Sequence, residues 1–280
     1  MIANEPIWKH RLALGEFTGP RDLVDKFDKV DVLLIPSASN SLYAVGFASS
    51  NHCIDLALRL RYEVFNEELG EGLMASRLTG MDRDEFDEQM HHLVLIELAT
   101  DTVIGTYRLQ PAALALQKNG LYSARQYDLA RLEPIIPLLV ETGRACIARE
   151  FRQFATVKLL WKAIAAYMVA YRQRWIFGCC SLTTIDPDDG WRALRLLRDA
   201  KGLGSGALAM PVPTYSCGDP SREFDPTLVG TCKIPKLFSA YLRLGAEAIS
   251  YPAIDREFGT VDFLVLLDAP RVNVSSIMMR

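Results

Sequence analysis

The stretch 135–171 constrains the fold more than any other part of the sequence, because it passes from a strand through a charged turn into a long helix. The apolar run that ends at Val140 is typical of a short buried strand. Apolar residues then recur at helical spacing from Val157 to Met168, which predicts a helix with one buried face. The polar residues lie between the two elements: Glu141, Arg144, Arg149, Arg152, Gln153 and Thr156.

The turn between this strand and this helix has two interpretations. The first turn of a helix has N–H groups without helical partners and the positive end of the helix dipole, so with Thr156, Arg149 and Arg152 it can hold a phosphate. The other interpretation is an ordinary β–turn–α unit with a solvated basic turn. The stretch alone leaves both open.

Strand and helix patterns mix along the rest of the chain. Strands are predicted at 42–47, 175–185 and 261–268, with a hairpin at 91–110. Helices are predicted at 51–69, at 112–118, from 186 onward and at 235–249. The charged segment 71–89 is interpreted as a mobile loop, and 201–231 as a long flexible connection whose GLGSG run lacks dinucleotide spacing. The mixture predicts an α/β or α+β fold with one central sheet.

Composition excludes several classes of function. The net charge is −3 over 280 residues, so the chain has no overall basic signature for nucleic acid. Its six cysteines show no metal-ligand spacing, and we interpret them as buried thiols of a reducing cytoplasm, with no metal. No signal-peptide pattern is present, and Lys158 and Lys162 interrupt the best candidate for a spanning helix. We expect a cytoplasmic protein that at most contacts the inner membrane peripherally.

Four short motifs, in order, carry a family resemblance: RYEVF at 61–65, DRDEFD at 82–87, GTYRL at 105–109 and ETGRACI at 141–147. The set resembles the acyl-transferring branch of the GNAT superfamily. It is similar to the acyl-homoserine-lactone synthases and, more closely, to the ornithine-lipid N-acyltransferases, with the N-acyl amino acid synthases as relatives. The resemblance covers about residues 42–268. It implies a GNAT-like domain at 42–280, preceded by an N-terminal extension at 1–41.

The resemblance implies a splayed central sheet flanked by helices. The pantetheine arm of an acyl thioester would enter between two parallel strands, which here end near Ile147 and Leu182. The helix from about Thr156 would then receive the pantetheine phosphate. The acyl-carrier and pantetheine site would comprise Ile147, Arg149, Arg152, Gln153 and Thr156.

N-acylation needs an amine without its proton and a polarised thioester carbonyl, and a free α-amine is mostly protonated at neutral pH. Glu141 is the first candidate for the proton acceptor, since it lies where the sheet would splay, and Asp84 is the second. A backbone N–H near 146–148 would polarise the carbonyl. No cofactor is expected, because the acyl thioester is a co-substrate.

The same relatives imply an acceptor pocket shaped by the acidic motif and the first-helix arginine. A cationic amino acid suits the acidic charge, while its carboxylate could pair with an arginine. The substrate-binding candidates are Arg61, Phe65, Asp82, Asp87, Arg108 and Arg144. Two structural alternatives stay open. One is a solvated loop for the aspartates, and the other is an internal ion-pair network of Arg61 with Glu141 or Arg144 that holds the first helix to the sheet.

The expected partner is the acyl carrier protein, whose recognition helix is acidic in this family. The docking candidates are Arg149, Arg152, Arg172, Arg174, Arg192, Arg195 and Arg198, and a solvated basic face is the alternative for the last three. One of His91 and His92 is predicted to make a satisfied core hydrogen bond, and Cys146 to be a buried thiol. Asp255 and Asp262, beside the last strand, could cap or pair, and no function is assigned to them.

The resemblance thus implies an N-acyltransferase that moves a long, 3-hydroxy or unsubstituted, acyl chain from acyl carrier protein to the α-amine of an amino acid. Ornithine is the expected acceptor, which would give lyso-ornithine lipid. The enzyme alternatives are another acceptor, such as glycine or tyrosine, and lactone signal synthesis. The non-enzymatic alternative is an acyl-carrier- or lipid-binding protein on the same scaffold.

Overall fold

One mixed sheet of eight strands organises the computed structural model, which describes residues 42–48 and 50–272. The strands follow the order β1-β2-β3-β4-β5-β8-β6, with β7 paired to the other end of β8. Their bounds are Tyr43–Ala48 (β1), His91–Glu97 (β2), Thr102–Pro111 (β3), Leu139–Ile147 (β4), Trp175–Leu182 (β5), Glu247–Ala248 (β6), Ala253–Asp255 (β7) and Thr260–Asp268 (β8). The predicted mixed α/β fold is confirmed, and the extension predicted at 1–41 lies outside the described residues.

Five α-helices connect and cover the strands in the described part of the chain. They are Asn51–Tyr62 (α1), Ala112–Ala115 (α2), Phe154–Ala170 (α3), Pro187–Asp199 (α4) and Lys236–Arg243 (α5). α1 continues as a π-helical segment, Glu63–Glu68, so the predicted helix at 51–69 is confirmed. Asp186 caps α4 by accepting from the N–H of Asp188 at 2.9 Å, with Pro187 in the first helical position.

The helices divide between the two faces of the sheet. One face packs against α3, α4 and α5 through a core that includes Ile164, Leu194 and Phe238. The opposite face packs against α1 through Ala57 and Leu60, and against α2 in a separate cluster. Burying apolar side chains on both faces stabilises a sheet of this kind. No helix within 42–48 and 50–272 is long and apolar enough to cross a membrane.

The parallel strands β4 and β5 pair only over their first residues. Their register runs Leu139↔Trp175, Val140↔Ile176 and Glu141↔Phe177, and it ends there although both strands continue. Beyond Glu141, β4 remains paired only with β3 on its other side. The predicted parting of the strands that end at Ile147 and Leu182 is therefore confirmed.

A β-bulge in β4 explains why the strands part at this point, and Gly178 permits their close approach beside it. On the β3 side the register moves from Arg108↔Gly143 to Thr106↔Cys146, so β4 holds one extra residue, and Arg144 has φ 54°. Such a bulge bends a strand and increases its twist. On the β5 side, a Cβ on Gly178 would lie 2.2 Å from the carbonyl oxygen of Thr142, so only glycine permits this close approach.

Four sequence predictions are wrong in detail. The central strand starts at Leu139, because Ala130–Leu138 with its two prolines forms a 3₁₀ segment. The segment 71–89 is packed, with Asp82, Asp87 and Gln89 buried. The last helix ends at Arg243, after which Gly245 has φ 94° and the chain joins the sheet as β6. The connection 201–231 is also packed, since Leu203 bridges to Ala248 and Ala209 to Ser250.

Candidate active site

Glu141 is the last residue of β4 that pairs with β5, so its position at the parting of the strands is as predicted. Its side chain is 2 % exposed and lies on the face of the sheet shared with α2. Both carboxylate oxygens accept backbone hydrogen bonds, from Tyr122 N at 2.8 Å and from Ser123 N at 2.7 Å. Burial raises the pKa of Glu141, although these N–H donors oppose the effect. The carboxylate therefore fixes the turn that carries Tyr122.

Six residues of the family motifs form one buried ion-pair network: Arg61, Asp82, Asp84, Asp87, Arg108 and Arg144. Each arginine contacts two aspartates, and each aspartate contacts two arginines. The shortest contacts are Arg108 Nη1–Asp84 Oδ1 at 2.6 Å, and Arg61 Nε–Asp82 Oδ2 and Arg61 Nη1–Asp87 Oδ1, both at 2.7 Å. Of the two structural alternatives, the ion-pair network is confirmed for Arg61 and Arg144, whereas Glu141 lies outside it. The solvated loop is wrong.

Mutual pairing fixes the charge state of this network. Burial alone would raise the aspartate pKa values, but Arg144 and Arg61 hold the pKa of Asp82 below its ordinary value. Arg108 acts in the same direction on the pKa of Asp84, and Arg61 on that of Asp87. His92 Nε2 donates to the carbonyl of Asp87 at 2.9 Å, and burial lowers its pKa. His92 is thus the predicted core histidine with a satisfied hydrogen bond.

A pocket of about 160 Å³ opens beside the network, on the same face of the sheet as Glu141. That volume lies below the roughly 300–1,000 Å³ of a drug-sized site, so it suits a small polar molecule better than a long acyl chain. Of the predicted residues, Asp84 and Arg144 line it directly. Its charged lining comprises four carboxylates and three guanidiniums: Asp84, Glu85, Asp255, Glu257, Arg83, Arg125 and Arg144.

Tyr122 joins the pocket to the network, and the motifs did not reveal it. Its hydroxyl accepts from Arg144 Nη1 at 3.3 Å, and the guanidinium carbon of Arg108 lies 5.1 Å from its ring centroid. Burial raises the pKa of this phenol, so it stays protonated. Gln126 and Asp255 line the pocket together with Tyr122, and Gln126 Nε2 donates to Asp255 Oδ2 at 2.9 Å. An aromatic two residues after the Asn119–Gly120 turn was the only sequence signal.

Phe65 and Cys146 lie under α1, in the core between that helix and the sheet. The ring of Phe65 packs edge-on against Phe258, with centroids 5.5 Å apart, and Phe258 lies below the guanidinium of Arg144. Phe65 therefore supports the pocket indirectly, through Phe258 and Arg144. Burial raises the pKa of the Cys146 thiol to about 12, which fits the predicted buried thiol rather than a nucleophile.

The start of α3 holds the predicted pantetheine residues close together. Gln153 and Thr156 form a reciprocal capping box, and the Thr156 hydroxyl donates to the carbonyl of Phe151 at 2.6 Å. Arg152 pairs with Glu68 at 2.6 Å, and its Nε donates to the carbonyl of Ile147 at 2.8 Å. These contacts tie the end of β4 to α3 and to the end of the π-helical segment.

The amides of 146–148 divide between two sides of β4. Ala148 N donates to the carbonyl of Ile104 in β3 at 2.8 Å, so this amide is already committed. Successive N–H groups in a strand point in opposite directions. The N–H of Ile147 therefore points away from β3, towards the gap that β5 leaves.

The predicted docking arginines differ in solvent exposure and in their hydrogen-bond and ion-pair partners. Arg149 is 73 % exposed at the start of α3, with Glu68 at 3.5 Å. Arg174 is paired with Asp268 at 2.8 Å, and Arg172 is exposed. On α4, Arg192 pairs with Asp189, Arg195 donates to three carbonyls of 223–228, and Arg198 pairs with Glu223. The α4 arginines thus hold the connection 201–231 against the domain.

Comparisons with known proteins extend this description. A GNAT acetyltransferase domain model matches residues 60–162, the range from the first-helix arginine into α3. An L-ornithine N(alpha)-acyltransferase of Agrobacterium fabrum is 35 % identical over 225 residues, covering 76 % of each chain. The protein of that name from Brucella abortus is 32 % identical over 248 residues, covering 82 % of this chain and 85 % of its own.

The chain belongs to the family of the L-ornithine N(alpha)-acyltransferases. It is an acyltransferase with a GNAT domain, as its motifs predicted. The structure of FeeM, an N-acyl amino acid synthase from uncultured soil microbes, has the same fold, with a TM-score of 0.50 and 13 % identity. That match covers 85 % of this chain and 98 % of FeeM.

Proposed function

We propose that the protein transfers a long acyl chain from an acyl carrier protein thioester to the α-amine of ornithine. The observation that carries the proposal is the parting of β4 and β5 beside Glu141, next to a small pocket of both charges. Membership of the family supports the chemistry, and its named relatives in Agrobacterium fabrum and Brucella abortus support the acceptor.

The pocket supports a cationic amino acid as acceptor. Ornithine carries one carboxylate and two ammonium groups, a net charge of +1 at neutral pH. The lining has one more carboxylate than guanidinium, so it favours that sign. Arg144 is placed to pair with the carboxylate of the acceptor and Asp84 with an ammonium, although each already has network partners.

The gap between β4 and β5 is the proposed site of the thioester. An arm that lies along the unpaired edge of β4 brings its carbonyl near the N–H of Ile147, which can stabilise developing negative charge. Arg149 and Arg152 at the start of α3 would meet the pantetheine phosphate and the acidic carrier protein, and Gln153 and Thr156 shape the helix end there.

Glu141 supports acceptor binding in this proposal because it holds the turn that carries Tyr122. Its oxygens bind the N–H groups of Tyr122 and Ser123, and Tyr122 lines the pocket. Loss of this carboxylate would release the turn and reduce acceptor binding. Asp84 faces the pocket but is fixed by two arginines, so it is placed to bind the acceptor rather than to take its proton.

A direct assay tests the proposal. Purified protein is mixed with an acyl carrier protein thioester and one amino acid at a time, and free thiol and product mass are recorded. Ornithine should be acylated fastest, and Glu141→Ala should lose most of the activity while it stays folded. Glu133→Gln, on an exposed residue before β4, is the control and should match the unmodified protein. Faster acylation of glycine or tyrosine would reassign the acceptor, and thioester binding without thiol release would contradict the transferase proposal.

The acyl chain and the membrane are finer parts of the proposal. The same assay with 3-hydroxyacyl and unsubstituted thioesters of equal length should favour the 3-hydroxy chain.

The product is a lipid, so we expect transient contact with the membrane surface near the exposed Phe224 and Val229. Their loop packs on α4, which begins directly after β5. Flotation with anionic vesicles measures this contact, and Phe224→Ser should weaken it.

A further inference from the structure

A buried carboxyl group on β8 differs from every other carboxylate described at the site. Asp262 is 3 % exposed, and its Oδ1 has no hydrogen-bond partner among the described residues. It forms no salt bridge there either, whereas Asp84 and Asp87 each contact two arginines. Burying an unpaired carboxyl is costly unless a ligand or function compensates for it.

A second unpartnered group lies on the same side of the same strand. Residues two apart in a strand point to the same face, and Thr260 is fully buried with no hydrogen-bond partner for its Oγ1 within the described part of the chain. Thr260 and Asp262 thus form a polar slot, a name that we use for this pair. Thr260 Oγ1 and Asp262 Oδ1 are thus a hydroxyl and a carboxylate oxygen that remain available, among the described residues, to accept hydrogen bonds from an amine.

The polar slot lies between the acceptor pocket and the parted strands. Asp255, which lines the pocket, is the cross-strand neighbour of Thr260. Asp262 is the cross-strand neighbour of Ser181, in the part of β5 that has lost its β4 partner. An amino acid that is bound in the pocket beside Asp255 would therefore have its α-amine near the slot, facing a thioester in the gap.

We propose that Asp262 is the catalytic base that takes the proton from the α-ammonium of the acceptor, with Thr260 orienting that nitrogen. This inference rests on the proposed function. Asp262 accepts one proton, the freed nitrogen lone pair attacks the thioester carbon, and a C–N bond forms. The C–S bond then breaks, and the leaving thiolate takes a second proton from the nitrogen. The proton on Asp262 passes to solvent, so the products are an amide, a free thiol and a proton.

The ionisation of Asp262 suits this role. Burial raises its pKa to about 6, opposed by the Ser181, Gln126 and Thr260 side chains and reinforced by Asp255. A base with a pKa near the working pH is both ionised and strong enough to accept a proton. The other titratable groups that face it are Glu71, Tyr122, Tyr127, Cys179, Cys180 and Cys217, and burial raises the pKa of each.

The other buried carboxylates are less suited to act as the catalytic base. Asp82 Oδ1 also has no hydrogen-bond partner, but its Oδ2 contacts Arg61 and Arg144, which hold its pKa low and make it a weak base. Both oxygens of Glu141 are occupied by backbone N–H groups. Asp255 accepts from Gln126, Glu257 N and Phe258 N. Asp262 combines burial, a free oxygen and the absence of a described cationic partner.

The pH dependence of turnover tests the inference, with ornithine and acyl carrier protein thioester as the substrates. For the unmodified protein, kcat/KM should rise through an acid limb near pH 6. Asp262→Asn should lower it at least 100-fold at pH 7, as expected for loss of a general base. The deficit should shrink several-fold by pH 9.5, where the free amine forms without help. Asp268→Asn, on the same strand but paired with Arg174, is the matched control and should keep the full rate.

Two further variants separate proton transfer from structure. Glu141→Gln should lower activity but keep the acid limb, because it disturbs only the turn. Asp262→Glu retains a carboxylate and should keep an acid limb with a shifted midpoint, which covers the case in which Asp262→Asn does not fold. An unshifted midpoint in Asp262→Glu, a deficit of Asp262→Asn that is constant with pH, or loss of the limb in Glu141→Gln would overturn the inference. If the unmodified protein acylates no amine, the proposed function itself fails.

Discussion

The ion-pair network and the polar slot lie within one domain, yet they treat buried charge in opposite ways. In the network, three arginines and three aspartates satisfy each other, and the guanidiniums hold the aspartate pKa values low. In the slot, Asp262 has no described cation beside it, and burial raises its pKa. The comparison separates carboxylates that hold the fold from the one that is free for chemistry.

The largest expected effect comes from opening the network. Asp87→Ala removes the shared partner of Arg61 and Arg108 and leaves buried positive charge uncompensated. We expect a loss of about 3–5 kcal/mol in the free energy of unfolding. Urea denaturation at pH 7 measures it.

Asp55→Ala is the matched control for that loss. Asp55 pairs with Arg83 at 2.6 Å, but both side chains are more than 40 % exposed. Exposed pairs contribute about 0–1 kcal/mol. Equal losses for Asp87→Ala and Asp55→Ala would contradict the claim that the buried network stabilises the fold.

The contribution of Asp262 to stability should change with pH in the opposite direction to that of the network aspartates. The folded-state pKa of Asp262 is raised from 3.8 to about 6, so its favourable contribution is complete below the unfolded value and is lost as pH rises through 6. Relative to Asp262→Asn, the unmodified protein should lose about 2 kcal/mol of stability between pH 4.5 and pH 8. Denaturation curves of both proteins over that range give the difference. If the stability of the unmodified protein stays constant or rises relative to Asp262→Asn over that range, a raised pKa is contradicted.

A smaller effect is expected at the point where the strands part. A Cβ on Gly178 would collide with the backbone carbonyl of Thr142, so Gly178→Ala must push β4 and β5 apart. Overpacking of this kind costs about 1–3 kcal/mol. Gly206→Ala, where a Cβ meets no atom within 4 Å, is the control. A Gly178→Ala protein as stable as its control would contradict the close approach.

The smallest effect on stability, with a clear effect on activity, is expected at the start of α3. Arg152 is 39 % exposed, so losing its pair with Glu68 should cost less than about 1 kcal/mol. If Arg152 meets the acyl carrier, Arg152→Gln should raise the KM for the thioester several-fold and leave the KM for ornithine unchanged. An unchanged thioester KM would remove Arg152 from the donor site.

Local patterns predicted most of the fold. The hairpin β2–β3, the capped start of α4 at Asp186 and the buried strand β8 follow from periodicity and capping residues. The errors have two causes. Pro134 and Pro137, a local signal given too little weight, form a 3₁₀ segment and make β4 start later than predicted. The chain after Arg243 pairs with the edge of β8, a distant contact that no local pattern encodes.

The candidate site was predictable in part. The motifs identified all six residues of the network, but only packing showed that the aspartates are buried and paired. The role of Glu141 depended on Tyr122 and Ser123, which approach it through tertiary structure. Asp262 had one sequence signal, a carboxylate within the apolar run VDFLVLL, and its missing partner becomes visible only once every neighbour is placed.

A crystal structure with an acyl-pantetheine analogue, in which a thioether replaces the thioester, would show where the donor binds. We expect the arm to lie between β4 and β5, with its sulfur beyond the Glu141↔Phe177 pair and within reach of Asp262. An arm bound outside this gap, or the two strands paired along their full length around an excluded ligand, would contradict this expectation.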